Sequence, residues 1–396
     1  MATTTFDQVH QFEPLMPTKA VAALDVAARL VVARSTALTG AAHPTTLSTL
    51  RTLVRSMNSY YSNRIEGQGT HPLDIERALR AEYASTDAIA RLQRLARAHI
   101  EAEVVLEGLT AAPSDALRFS FLAEAHRELY SRLAEGDRLD DRGRTIVPGA
   151  FRDDMVSVGR HVPPTPESLP RFAARIDEVY GRRHSVEREL IAIAAAHQRV
   201  SWVHPFRDGN GRSVRLQTHC ALFPLSAGLW SVSRGLARKR DEYYAHLDAA
   251  DAPRAGDLDG RGNLSDRALH DWCAWFLDLC RDQVTFMAGL LSFDGVHQRV
   301  RALIASRAAN DQRYRIETVL PWFHAFAVGP VPRGEFQRMC GLGERTARSA
   351  LSHLIRSGLL TSADHLAPVQ VAFPLDCLQL LFPDLYPEAA TRPPEA

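Results

Sequence analysis

Apolar residues recur at helical spacing along most of this chain. Positions 20–38 carry Ala, Val and Leu at three- and four-residue intervals with arginines between them, which predicts a helix. A second helix is predicted over 45–61, closed by a polar turn with Gly67 and Gly69, residues that stop helices well. The same periodicity predicts helices over 74–84, 86–109, 116–133, 169–180, 185–200, 213–223, 236–250 and 268–290. The pattern breaks over 137–166, where Gly143, Pro148, Gly149, Gly159, Pro163, Pro164 and Pro166 cluster. Inside that break, residues 155–158 (MVSV) alternate apolar and polar, so a β-hairpin among helices is expected. Residues 1–20 read as an extended lead-in, 251–265 as a Gly/Asp-rich loop, and 386–396 as a frayed Pro/Glu-rich tail.

Composition narrows the classes. The 396 residues hold 47 Lys+Arg against 46 Asp+Glu, a formal net charge of +1, so the chain is not built wholly around polyanion binding. With 45% hydrophobic and 23% charged residues it is an ordinary globular sequence. Lys19 and Lys239 are its lysines, and neither sits in a GxxxxGK[ST] loop, which excludes a P-loop nucleotide site. The five cysteines are widely spaced and form no CxxC pair, so reduced thiols in a cytoplasmic protein are expected rather than a zinc ribbon. The first residues show no signal-peptide pattern, and no apolar run is long enough to span a membrane.

The chemistry concentrates in one stretch, HPFRDGNGRSVR, residues 204–215. Gly209, Asn210 and Gly211 can turn successive backbone N–H groups inward as an anion nest. A helix opening near Ser213 would add its positive N-terminal end. Arg212 and Arg215 lie three apart and so share a face, and two guanidinium groups beside a nest suit polyphosphate. Asp208 is a hard oxygen ligand fit for Mg²⁺, and His204 is a candidate general base.

This segment resembles the Fic family signature HxFx[DE]GNGRxxR, with every specified position present: His204, Phe206, Asp208, Gly209, Asn210, Gly211, Arg212 and Arg215. The resemblance implies a mostly α fold: a helical Fic core with a β-hairpin flap, an N-terminal inhibitory helix and a C-terminal winged-helix domain. It implies AMP transfer from ATP to a Ser, Thr or Tyr hydroxyl of a target protein or of the chain itself, with ATP and Mg²⁺ required. His204 would take the hydroxyl proton. Asp208 would hold Mg²⁺ on the phosphates, and Arg212 and Arg215 would hold the β- and γ-phosphates. Phe206 would anchor the loop. Val156, Ser157, Val158 and Gly159, followed by His161 and Pro163–Pro164, are similar to the family's flap, which aligns an extended target segment. Tyr243 and Tyr244 resemble the segment that closes over adenine, with Asp251 where relatives often carry Asn.

Ser62, Glu66 and Gly67 fit the family's inhibitory motif [ST]xxxE[GN]. By that resemblance Glu66 pairs with Arg215 and competes with the γ-phosphate, so that ATP binds in a pose unsuited to in-line attack. The same glutamate leaves removal of AMP open as an alternative direction. A different phosphate donor is also open.

The expected organisation is 1–113 as a helical region with the inhibitory motif, 114–292 as the catalytic core, and 293–396 as a winged-helix-like domain. In the last, helices over 335–339 and 344–357 flank a Gly341-Leu342-Gly343 turn, with a wing returning over 369–373. Arg345, Arg348 and Arg356 could reach DNA phosphates. The modest arginine surplus leans the sequence towards protein docking, and leaves open a DNA-binding regulator whose Fic core senses nucleotide. A homodimer is also left open.

Overall fold

The computed structural model of the chain describes residues 5–159 and 161–386. Its helices run in order: α1 Val21–Thr39, α2 Pro44–Ile65, α3 Pro72–Leu79, α4 Asp87–Gly108, α5 Pro113–Ala116 and α6 Phe119–Ser131. After the irregular stretch come α7 Leu169–Tyr180, α8 Val186–Val203, α9 Asn210–Ser226, α10 Ser233–Arg238, α11 Arg240–Ala250 and α12 Asp266–Leu290. The C-terminal part holds α13 Phe293–Ala308, α14 Val319–Val328, α15 Arg333–Met339, α16 Glu344–Arg356 and α17 Leu375–Leu381. One antiparallel hairpin, β1 Leu360–Thr361 with β2 Gln370–Val371, lies between α16 and α17. The chain is mostly helical, as its periodicity predicts.

The core is organised around α8 and α9, which pack on each other and are buried along nearly their whole length. That explains why α8 carries Leu190, Ile191, Ala192, Ile193 and Ala194–Ala196 on all sides rather than on one stripe, whereas α9 also buries Arg212, Arg215, Gln217 and His219. Helix α1 packs on α8 and α12, and α2 on α4. Helix α2 buries Leu47, Leu50, Val54, Met57, Tyr61 and Ile65, a three- and four-residue spacing that fixes one face inward. His43 caps its start by accepting the Thr45 amide, with Pro44 at the first position. Gly67, at φ 75, ends it, because a residue without Cβ enters the left-handed region at little cost.

Several expectations need correction. The helix expected over 116–133 is broken at Leu117–Arg118, and α6 starts afresh where the Asp177 carboxylate accepts the Phe119 amide (2.6 Å). The helix expected over 236–250 is two, joined at Lys239. The helix expected from Ser213 opens at Asn210, one turn earlier. The lead-in is not loose: a short 3₁₀ turn, Val9–Phe12, seats Phe12 in the core against Phe172 at 4.8 Å. The Pro14 carbonyl takes Arg199 Nε at 2.9 Å, and the Leu15 carbonyl takes the Tyr180 hydroxyl at 2.5 Å. A stretch this short offers no periodicity to detect. The tail expected to fray lies outside the described residues except for Tyr386, which is buried against Tyr60 and Tyr61. Among the described residues no helix is long and apolar enough to cross a membrane, and the five cysteines are buried and free.

Candidate active site

The site forms where α8 ends and α9 begins. Helix α8 runs to Val203, and His204 closes it in the left-handed region (φ 47) with its amide still bonded to the Val200 carbonyl. The loop 205–209 then turns the chain into α9. Asn210 locks this loop in both directions: its Oδ1 accepts the Phe206 amide (2.9 Å) and its Nδ2 donates to the Phe206 carbonyl (2.8 Å). Phe206 is fully buried and stacks on His126 with centroids 4.0 Å apart. Gly209 is the N-cap residue of α9 at φ 77, and a Cβ there would collide with the Tyr130 ring. Because α9 opens at Asn210, the Asn210 and Gly211 amides are among its orphan N–H groups, so nest and helix end are one feature.

His204 is held neutral. Burial lowers its pKa to about 4, with the Arg152 and His161 charges acting the same way. A neutral imidazole is the form that accepts a proton. Asp208 places Oδ1 on the Gly209 amide at 2.5 Å. A cleft of about 310 Å³ is lined by His204, Asp208, Gly209, Asn210, Gly211, Glu66 and, from the irregular stretch, Val156, Ser157 and Val158. The hairpin expected at 155–158 is reduced to one bridge, Val158 to His161, around Gly159 at φ 59. Pro163 and Pro164 follow at once and bring no amide donors to extend it. His161 secures its base by donating Nε2–H to the Trp202 carbonyl (2.7 Å).

Arg212 and Arg215 emerge from successive turns of α9. Arg212 donates to the Tyr130 hydroxyl (2.8 Å) and to Gln68 Oε1 (2.6 Å). Arg215, 2% exposed, donates to Ser62 Oγ (2.9 Å), the Ser62 carbonyl (3.0 Å) and Glu66 Oε1 (2.6 Å). Helix α2 and its end therefore bring Ser62 and Glu66 together on the second motif arginine. Gly211 leaves room for this pair, since a Cβ there would displace the end of the Glu66 side chain. Burial alone would raise the Glu66 pKa, but the Arg215 and Arg212 charges outweigh it and hold the carboxyl below its ordinary range.

Two of the three residues expected on adenine are engaged by α8. Tyr243 is buried and donates its hydroxyl to His197 Nε2 (2.9 Å), while His197 Nδ1 donates to Thr218 Oγ (2.8 Å). Asp251 accepts from Gln198 Nε2 at 2.6 Å, and burial raises its pKa to about 7. Both engage α8 and do not line the cleft with His204 and Asp208; Tyr244 is exposed beside Arg240.

Sequence reasoning missed three features. His126, on α6, accepts the Gly149 amide at Nδ1 (2.8 Å) and donates Nε2–H to the Asp208 carbonyl (3.2 Å), with its pKa lowered to about 4 by burial. Arg152 ties the loop to the irregular stretch, donating to the His204 carbonyl (2.9 Å) and to the Pro164 carbonyl. Glu103 and Glu107 on α4 flank His219 on α9, at 3.3 and 2.9 Å from its Nε2. These three could in geometry hold a metal ion. Asn58 Nδ2, however, lies 3.3 Å from His219 Nδ1. Nδ1 is then the acceptor, and Nε2 carries a proton towards the carboxylates. Nothing in the sequence separated these residues from helix-face polar positions.

Residues 116–222 match the model of the Fic/DOC family. The protein adenylyltransferase Fic of Nematostella vectensis is 27% identical over 193 residues, 48% of this chain and 42% of that protein. The protein of the same name from Drosophila ananassae is 37% identical over 106 residues, 26% of this chain and 21% of that one. The chain thus spans less than half the length of these curated relatives. A solved Fic family protein from Desulfovibrio desulfuricans superposes with a TM-score of 0.50 at 18% identity, covering 90% of this chain and 97% of that one. Fic-1 (residues 134–508) from C. elegans gives 0.51 at 18%, covering 69% of this chain and 74% of that one. With the signature loop intact between two buried helices, and the family match running around it, residues 116–222 form a segment that matches the Fic/DOC family.

Proposed function

We propose that this site transfers AMP from ATP to a hydroxyl side chain of a target protein or of the chain itself, releasing diphosphate, and that Glu66 restrains it. The observation that carries the reading is a neutral His204 facing the same cleft as the amides that open α9. His204 takes the hydroxyl proton as the oxygen attacks the α-phosphorus. The bond from that phosphorus to the bridging oxygen breaks, and its electron pair leaves with diphosphate. The Asn210 and Gly211 amides face the negative charge that develops in transfer, where fixed donors act most strongly.

Asp208 fits Mg²⁺: it is a hard carboxylate that lines the cleft beside the glycine loop. Bound there, the cation would neutralise phosphate charge. Arg212 and Arg215 are the guanidinium groups available to the outer phosphates. Arg215 is already committed to Ser62 and Glu66, so a γ-phosphate must displace the carboxylate to reach it. Val156–Gly159 is the edge along which an extended target segment would lie. The five buried free cysteines fit a reducing compartment such as the cytoplasm.

The test is incubation of wild type, Glu66→Gly and His204→Ala with α-labelled ATP and Mg²⁺, followed by intact-mass analysis. An added AMP in the Glu66 variant and none in the His204 variant is expected. No AMP on the Glu66 variant, nor on hydroxyl peptides supplied with it, would overturn the reading.

A further inference from the structure

We infer that the outer face of α16 is a binding surface for duplex DNA. The inference rests on the C-terminal part alone and not on nucleotidyl transfer. Helix α15 (Arg333–Met339) is followed by a turn with Gly341 at φ 65, then by α16 (Glu344–Arg356) and the β1–β2 hairpin. A further bridge, Val331 to Val369, ties the hairpin to the start of this unit. It is a helix-turn-helix with an adjoining wing, a shape that presents its second helix outwards.

The two faces of α16 differ sharply. Ala347, Ala350, Leu351 and Leu354 are buried, and the helix packs on α15 and β1. Arg345, Arg348, Ser349, Ser352 and Arg356 fall at i, i+3, i+4, i+7 and i+11 and share the other face. Every position on α16 that is fully open to solvent is polar, and none of the exposed large hydrophobic side chains belongs to it. A protein-docking helix offers apolar or aromatic anchors at the centre of its contact. A helix that enters the major groove offers hydrogen-bonding and cationic side chains instead. The exposed pattern is the reason for choosing duplex DNA over the protein docking towards which the composition leans.

Local electrostatics agree. Residues 333–371 hold five arginines against three carboxylates. Two of those carboxylates are already engaged. Asp364 accepts the Leu366 and Ala367 amides, both at 2.7 Å, and so is spent on shaping the wing. Glu344 pairs with Arg348 at 2.6 Å across open solvent, an ion pair that a phosphate can replace at little cost. Arg333 braces the wing by donating to the Asp364 carbonyl (2.9 Å) and the Ala367 carbonyl (3.2 Å). The wing is thereby set as a fixed second contact beside the helix, with exposed His365 near its tip.

The test uses the full chain and a fluorescent random-sequence duplex, with anisotropy read from low to moderate salt. Binding should weaken steeply with salt. Each lost phosphate contact lowers the log–log slope by about 0.9, so R345A/R348A/R356A should reduce it by roughly 2–3 and weaken binding at least about tenfold. That variant should melt like wild type, because the three side chains are exposed. Arg267→Ala, at an exposed arginine at the start of α12, should change nothing. No duplex binding at low salt would overturn the inference. So would equal binding by the triple variant, equal loss in the Arg267 control, or capture of a protein through this face without duplex binding.

Discussion

Removing the Glu66 carboxylate should weaken the fold and speed the chemistry together. Glu66→Ala leaves the backbone alone, since Glu66 sits at φ −82, which any residue adopts. It deletes one charge-assisted bond, from Arg215 to Glu66 Oε1 at 2.6 Å. Such a bond contributes about 1.5–3 kcal/mol. The ~3–5 kcal/mol of a fully broken buried pair is not reached, because the two Ser62 bonds keep Arg215 partnered. The same pair must open before phosphate can occupy Arg215. Its free energy should therefore appear with opposite sign in nucleotide affinity, as a gain of about 10- to 150-fold. Denaturant unfolding and titration with a fluorescent ATP analogue measure the two sides. The pH dependence follows from a folded-state carboxyl held below its unfolded range: the stabilisation is complete above the unfolded pKa and is lost as pH falls through the folded one. Wild type and Glu66→Ala should thus differ by a constant amount at neutral pH and converge in acid. A variant that loses stability but binds ATP no more tightly would show Glu66 to be a structural strut rather than a competitor for Arg215.

His204 supplies a second test, since burial lowers its pKa to about 4 with Glu66 present and the Glu66 charge raises it: transfer by Glu66→Ala should stay flat near neutrality and fall only below about 4. A limb centred near the ordinary histidine value would refute the buried, neutral imidazole, and His204→Ala should cost about 10²–10⁴ in rate. His126→Phe keeps a ring on Phe206 but leaves the Gly149 amide and Asp208 carbonyl without their partner; it should cost about 1–3 kcal/mol by denaturant unfolding and lower kcat more than it raises KM for ATP. His219→Ala strips Glu103 and Glu107 of their shared partner and should cost about 3–5 kcal/mol. Wild-type melting should be unmoved by a metal chelator, since a proton and Arg55, 2.5 Å from Glu107, balance that cluster; a chelator-sensitive transition would show an ion there instead.

What was legible in the sequence follows from how the site is built. Helix α9 and the loop before it carry His204, Asp208, the glycine nest, Arg212 and Arg215 within twelve consecutive residues. Local spacing therefore sets their relation, and a linear motif can report it. Glu66 was legible only because its own short motif survives in one turn at the end of α2. That it meets Arg215 depends on how α2 packs in the fold, which spacing does not encode. His126 and Arg152 come from α6 and the irregular stretch, and their work is to hold carbonyls and amides of the loop. A histidine or arginine that bonds backbone leaves no pairing pattern in sequence, so both looked like ordinary helix and loop residues. Asp251 was named only by resemblance, as the residue standing where relatives often carry Asn. That Gln198 on α8 donates to its carboxylate just after α11 is a matter of packing, which no spacing reports. The distinction is general to a site assembled at one helix start: what the helix carries itself is written in order along the chain, and what orients it is written in the packing of its neighbours.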